Sequence, residues 1–189
     1  MTSKHSFDNR SALAFILAFG VVSLFADMAY EGMRSSTGPF LAMLGASGTA
    51  VGIIAGTGEL FGYLLRIVSG RLVERTRAYW VIAIAGYVIQ MAAVPLLAFA
   101  GNWVVAAILI VVERAGKALR NPAANTMMSK AGDRIGQGWA FGLHEALDQT
   151  GALAGPLIAA LVLARHGDYR DAFLWLGIPA VLTILSVIA

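Results

Sequence analysis

The chain has 189 residues, 58% of them hydrophobic and only 13% charged, with a net charge of +3 and no cysteine. Soluble domains average about 25% charged residues, so these charges are too few to cover a soluble surface. The composition excludes a soluble enzyme, a disordered chain, a disulfide scaffold and cysteine-based catalysis or metal binding. What remains is a membrane protein with room for about six spanning helices.

Residues 11–26 carry no charge, and Asp27 and Glu31 follow one helical turn apart, so a first span is expected at 11–33. The polar start and the absence of a small-residue cleavage site argue against a cleavable signal peptide. Residues 35–58 are also uncharged, but Gly38-Pro39 and Gly45–Gly48 read as loop. A second span is placed at 47–69, followed by a polar turn with Gly70, Arg71, Glu74, Arg75 and Arg77. The 35 uncharged residues 78–112 would make one helix of roughly 52 Å, too long for a ~30 Å hydrocarbon core. They must fold back at Gly101-Asn102, giving spans at 78–99 and 103–121. Asn121-Pro122 is expected to end or kink the fourth span, and 123–136 to form a polar connection. The fifth and sixth spans are placed at 137–164 and 172–189.

Six spans put both termini on one side. If that side is cytoplasmic, the inner segments hold Lys4, Arg10, Arg71, Arg75, Arg77, Lys117, Arg120, Lys130 and Arg134, nine cations against Arg34, Arg165 and Arg170 outside. That is the asymmetry of a multi-pass protein of the cell (inner) membrane. The same scatter of cations argues against a nucleic-acid partner, which would need them on one face.

Ionisable groups inside spans suggest function. Counting residues from each span end places Glu59, Gln90, Glu113, Arg114 and Asp148 near the midplane, with Asp27 and Glu31 nearer the outer side. Arg66, Lys117 and Arg120 fall towards the inner face, within reach of snorkelling. Glu113 and Arg114 point about 100° apart, so Arg114 is expected to meet an acid on another helix: Asp27, Glu59 or Asp148. Such charges either fix helix packing or include a carboxylate that takes up and releases a proton, with Asp148 and Glu59 the preferred carriers. Asp27 and Glu31 share a face and would attract a cation or sit in a wet vestibule. His144 lies one turn before Asp148; a metal site with Glu145 is weak, and a packing histidine is the simpler reading. No metal or other cofactor is expected. Gly52, Gly56, Gly58 and Gly62 in the second span, and Gly142, Gly151, Gly155 and Pro156 in the fifth, allow close helix approach.

These features resemble the amino-terminal half of a major facilitator superfamily transporter. Gly70-Arg71-Leu72-Val73-Glu74-Arg75-Thr76-Arg77 is similar to that family's loop motif, with Glu74 for its aspartate and without its later glycine. Arg114 stands where the family has a buried arginine. Gly142, Gly151 and Gly155-Pro156, followed by Ala159-Ala160, look like its antiporter motif, with alanines for the closing glycine pair. The resemblance covers essentially the whole chain. It implies an all-α fold of six transmembrane helices, arranged as two inverted three-helix repeats in one domain. It implies a proton-coupled exporter of a small molecule rather than an enzyme. The first and fourth helices would line the cavity, with Asp27, Glu31, Glu113 and Arg114. The second and fifth would pack across a partner half, and the third and sixth would face lipid. Glu59 and Asp148 would be coupling groups or interface ion partners. Members carry two such halves. The second half would come from a parallel homodimer or the rest of a longer chain; otherwise the unit is a non-transporting scaffold or partner-binding module. The absence of a polar tail after the sixth span inclines the reading to a piece of a longer chain or a minimal natural half.

Overall fold

The computed structural model describes residues 9–189. Among them are six α-helices and no strand: α1 (Asn9–Met43), α2 (Gly48–Thr76), α3 (Tyr79–Leu96), α4 (Trp103–Ile135), α5 (Gln137–His166) and α6 (Tyr169–Ile188), with a 3-10 turn at Leu97–Phe99. Lys4, counted above among the inner cations, lies outside the described residues.

The connections are short because the caps are built into the sequence. Ser47 Oγ accepts from the Ala50 amide at the start of α2. Asn102 accepts from Val104 and Val105 at α4. Asp168 accepts from Arg170 at α6. Each satisfies orphan amides of a first helical turn. Gly136 (φ 96°) turns α4 into α5, and Arg77 adopts a left-handed φ of 54° after α2. Arg170 donates to the Ala98 and Ala100 carbonyls, tying α6 to the turn before α4.

Three expectations are corrected. Gly38-Pro39 is no loop: α1 continues through Pro39 to Met43, and the turn lies at 44–47. Gly70–Thr76 is the last two turns of α2 rather than a loop, and only Arg77 lies in the turn. Pro122 does not end α4, and 123–136 is helix almost to its end. The reason at Pro122 is local. A proline lacks the amide that would bond the carbonyl four residues back, which here is that of Ala118. Ser69 Oγ on α2 donates to that carbonyl at 2.7 Å instead, so the helix continues with its freed acceptor satisfied.

Among the described residues, five helices are long and apolar enough to cross a membrane: α1, α2, α3 with its 3-10 turn, α5 and α6. Among the six, α4 falls short because it carries Glu113, Arg114, Lys117 and Arg120 in its middle. Its charges turn inward: Glu113 and Arg120 are both buried. Lys117 and Arg120 are therefore not part of an inner loop, and Arg34 lies within α1 rather than in an outer loop.

The buried side chains form two apolar clusters. One gathers Ile16, Phe19, Ile82, Tyr87, Met128 and Ala140, among others. The second gathers Met33, Phe40, Leu97, Ile110, Leu176 and Phe173 with their neighbours. The α1–α5 and α3–α4 pairs make the most extensive contacts, while α2 packs mainly against α4. Only 6% of the most apolar stretch of α2 is buried, against 56% for α3. Leu60, Phe61, Leu64, Ile67 and Val68 on α2 are all exposed.

Glycines set the α1–α5 contact. A Cβ at Gly151 would overlap the Leu24 carbonyl oxygen, and one at Gly155 that of Met28. Gly32 is equally confined: its Cβ would lie 2.8 Å from the Gly155 oxygen. Gly142 differs, with nothing within 4 Å of an added Cβ, so no contact among the described residues requires a glycine there.

Candidate functional site

Two polar assemblies sit among these apolar helices. The first is buried and is organised by Arg120 on α4. Its Nε donates to Gln90 Oε1 at 2.6 Å, and its Nη1 donates to Tyr87 Oη at 3.0 Å. Its Nη2 lies 3.7 Å from Asp27 Oδ1. Gln90 passes the chain on, donating from Nε2 to Glu113 Oε1 at 2.8 Å. Three helices thus contribute to one network: Asp27 from α1, Tyr87 and Gln90 from α3, and Glu113 and Arg120 from α4. Asp148 of α5 joins it, its carboxyl beside that of Asp27. Two adjacent carboxyls beside one guanidinium can hold a proton between them.

Two buried polar atoms in this region lack hydrogen-bond partners among the described residues: Glu113 Oε2 and His144 Nδ1. His144 packs its ring 6.0 Å from that of Phe19, with Nε2 3.5 Å from Ser23 Oγ. No group of three metal-ligating side chains occurs among the described residues.

The second assembly lines an open cleft of about 400 Å³ between α1, α2 and α4. Tyr30, Glu31 and Arg34 come from α1, Gly58, Glu59, Gly62, Tyr63 and Arg66 from α2, and Arg114, Lys117 and Ala118 from α4. Arg114 Nη1 lies 2.9 Å from Glu59 Oε1 and also donates to the Ala55 carbonyl at 3.0 Å. Of the three acids named for Arg114, Glu59 is the partner. Gly58 is small for this reason: a Cβ there would press on the Arg114 side chain at 3.0 Å. Glu31 pairs with Arg34 at 3.3 Å. Lys117 Nζ sits 3.4 Å from the centre of the Tyr30 ring, and Arg66 lies over Tyr63 at 5.5 Å. The Asn121 amide, oriented as its neighbours require, accepts from Arg66 Nη2 at 3.0 Å and donates to the Lys117 carbonyl at 3.1 Å. A second chamber of about 460 Å³ adjoins the cleft; it shares Tyr30, Arg34, Glu59 and Arg114 and adds Met33, Leu41, Val51, Ile54, Ile110 and Glu113.

The structure therefore parts the expected site residues. Glu31, Glu59 and Arg114 face the cleft, and Glu113 lies between the second chamber and the buried network. Asp27 is not on the cleft: it is 8% exposed and turned to Arg120. The shared face expected for Asp27 and Glu31 splits, because α1 presents Asp27 to the bundle and Glu31 to the cleft. Arg120 does not snorkel, since four helices enclose it. Arg71, Glu74, Arg75 and Arg77 are exposed at the end of α2.

Sequence reasoning missed Arg34 and the tyrosines, Tyr30, Tyr63 and Tyr87. The signal was present as spacing. Tyr30 and Arg34 are four apart on α1, and Gly58, Gly62 and Arg66 recur every four on α2, each marking one helical face.

Residues 11–189 match the family described as Major Facilitator Superfamily. An uncharacterized protein of Mycobacterium tuberculosis strain H37Rv is 49% identical over 170 residues, which are 89% of this chain and 42% of that protein. An uncharacterized MFS-type transporter of Methanocaldococcus jannaschii is 22% identical over 186 residues, 97% of this chain and 46% of the relative. A tetracycline resistance protein of class D from Salmonella ordonez is 30% identical over 129 residues, 67% of this chain and 32% of that protein. The chain thus spans less than half the length of the curated relatives it matches.

Proposed function

The chain belongs to the major facilitator superfamily, a family of transporters rather than enzymes, and from that premise we propose that it forms one half of a proton-coupled exporter. In this reading all six helices cross a cell (inner) membrane as one domain of two inverted three-helix repeats, with both termini cytoplasmic. α4 crosses because its charges are met by other helices rather than by lipid. Arg10, Arg71, Arg75, Arg77, Lys130 and Arg134 then lie at the cytoplasmic helix ends, and Arg165 and Arg170 lie outside, as membrane orientation favours.

One observation carries the proposal: a charged cleft lies in an apolar bundle and opens beside α2, whose outward face is left largely uncovered among the described residues. A second six-helix unit would close it, supplied by a second copy or by the rest of a longer chain. A small molecule would sit between the halves, bordered by Glu31, Glu59 and Arg114. The buried network would take up and release the proton, through Asp148 with Asp27 and through Glu113. Arg120 and Gln90 link these acids to one another. Gly70, Arg71, Glu74, Arg75 and Arg77 would hold the cytoplasmic gate. Gly142, Gly151, Gly155 and Pro156 of α5 would let helices rock during alternating access. The similarity to a tetracycline resistance protein supports the direction of export.

The test is proton movement in proteoliposomes under an imposed pH gradient, with a panel of small organic solutes. Solute-dependent proton flux is expected, and Asp148→Asn and Glu113→Gln should abolish it. Full flux in both variants removes these acids from the mechanism. No flux with any solute, from a protein that stays monomeric, favours a non-transporting scaffold or partner-binding module.

A further inference from the structure

We infer that the cleft between α1, α2 and α4 takes a small amphipathic organic anion, held by Arg66 and Lys117. The inference names the substrate class for the site proposed above and rests on the reading of that cleft as the substrate site.

The argument is one of uncompensated charge. The cleft wall carries four cations, Arg34, Arg66, Arg114 and Lys117, and two acids, Glu31 and Glu59. Both acids are committed, Glu31 to Arg34 and Glu59 to Arg114. Neither Arg66 nor Lys117 makes an ion pair among the described residues. Each rests on a tyrosine ring, which offers an electron-rich face but no countercharge. Asn121 holds Arg66 through its amide oxygen and the Lys117 backbone through its amide nitrogen, so the two residues are tied to one point. A cation in a bundle of apolar helices is costly without a partner, and here two stand together facing an open cleft.

Among the described residues no remaining acid comes within 4.0 Å of either cation; Asp27 and Glu113 act on Lys117 only from farther away. Asp27 and Asp148 face each other and Arg120, and Glu113 Oε1 is held by Gln90. The cationic surplus therefore lies on the cleft side and the anionic surplus in the buried network. An arginine fork and an ammonium together suit a carboxylate, sulfonate or phosphate. The adjoining chamber, walled in part by Met33, Leu41, Val51, Ile54 and Ile110, offers an apolar pocket for the rest of the molecule. Two tyrosines at the cleft suit an aromatic ring.

The test uses three probes with nearly the same body and different charge: salicylate, salicylamide and 2-hydroxybenzylamine. Their binding is measured by calorimetry to the 189-residue chain in phosphatidylcholine nanodiscs. Salicylate should bind at least tenfold more tightly than the amide or the amine. Lys117→Gln and Arg66→Gln should each weaken it about tenfold or more, and Lys117→Arg should retain most of it. Arg66→Gln also guards against misfolding, because that side chain is exposed and outside the buried network. Equal or tighter binding of the amine, or no binding of any probe at millimolar concentration, overturns the inference. Repeating the measurement with phosphatidylglycerol separates the sources of such an anion: loss of salicylate binding there would assign the cleft to an anionic lipid headgroup and overturn the solute reading. The outcome is independent of flux. Salicylate binding without proton movement would sink the transport reading alone, and solute-driven flux with a preference for the amine would sink the anion reading alone.

Discussion

Gly142 and Gly155 make a controlled comparison, because the same substitution should move stability in opposite directions. Gly155 lies where α5 crosses α1. An alanine Cβ there would overlap the Met28 carbonyl oxygen, and it would lie 2.7 Å from the Gly32 amide nitrogen and 3.0 Å from the Met28 carbonyl carbon. All three obstacles are backbone, so no rotamer change relieves them and the helices must part. Overpacking of this kind costs about 1–3 kcal/mol, and rigid backbone puts Gly155 at the upper end. Alanine returns up to ~1 kcal/mol through its better helix propensity. Gly155→Ala should therefore destabilise by about 2 kcal/mol, a change of roughly 30-fold in the folded-to-unfolded ratio. At Gly142 nothing lies within 4 Å, so Gly142→Ala keeps only the propensity gain and should stabilise by up to ~1 kcal/mol. The measurement is reversible unfolding by SDS in mixed micelles, followed by fluorescence of the four tryptophans. Equal shifts at the two positions, or a Gly155→Ala variant as stable as the parent, would refute the claim that α1 and α5 meet backbone to backbone.

Three further outcomes follow from the same packing. Arg120→Met should cost about 3–5 kcal/mol, because it leaves Asp27, Tyr87 and Gln90 without their buried partner. Arg120→Lys should recover only part of that loss, since an ammonium cannot reproduce the guanidinium's fork, and the same SDS titration reads both. Ser69→Ala should cost about 1–3 kcal/mol, as it strands the Ala118 carbonyl that Pro122 leaves free; Ser69→Thr keeps the hydroxyl and should be milder. Arg77→Gly should stabilise by about 0.5 kcal/mol, because the residue after α2 adopts a φ of 54° that suits glycine, and a loss of stability would contradict that cap.

Much of the chain was legible from its residues. The uncharged runs and the turns at 45–48, 101–102 and 165–168 place six helices, because apolar length and capping residues are local signals. The expectations at Pro39, Gly70–Thr76 and Pro122 failed, and at Pro122 the reason is visible. A proline ends a helix only if the carbonyl it frees finds no other donor. At Pro122 the missing donor comes from Ser69, about fifty residues earlier in the chain.

The site divides in the same way. Sequence alone pointed to a membrane protein and placed Glu59, Glu113, Arg114 and Asp148 within apolar stretches, because position along a helix follows from residue counting. Spacing also limited Arg114 to an acid on another helix. Only the tertiary structure decided that Glu59 is that acid, that Asp27 turns from Glu31 towards Arg120 and Asp148, and that Arg66 and Lys117 face the cleft without an ion-pair partner among the described residues. The physical reason is that a charge is costly in an apolar bundle whatever helix carries it, while its partner depends on how the helices are rotated against one another. That rotation is set by close contacts such as Gly155 on Met28, and a sequence records the glycine without the surface it meets.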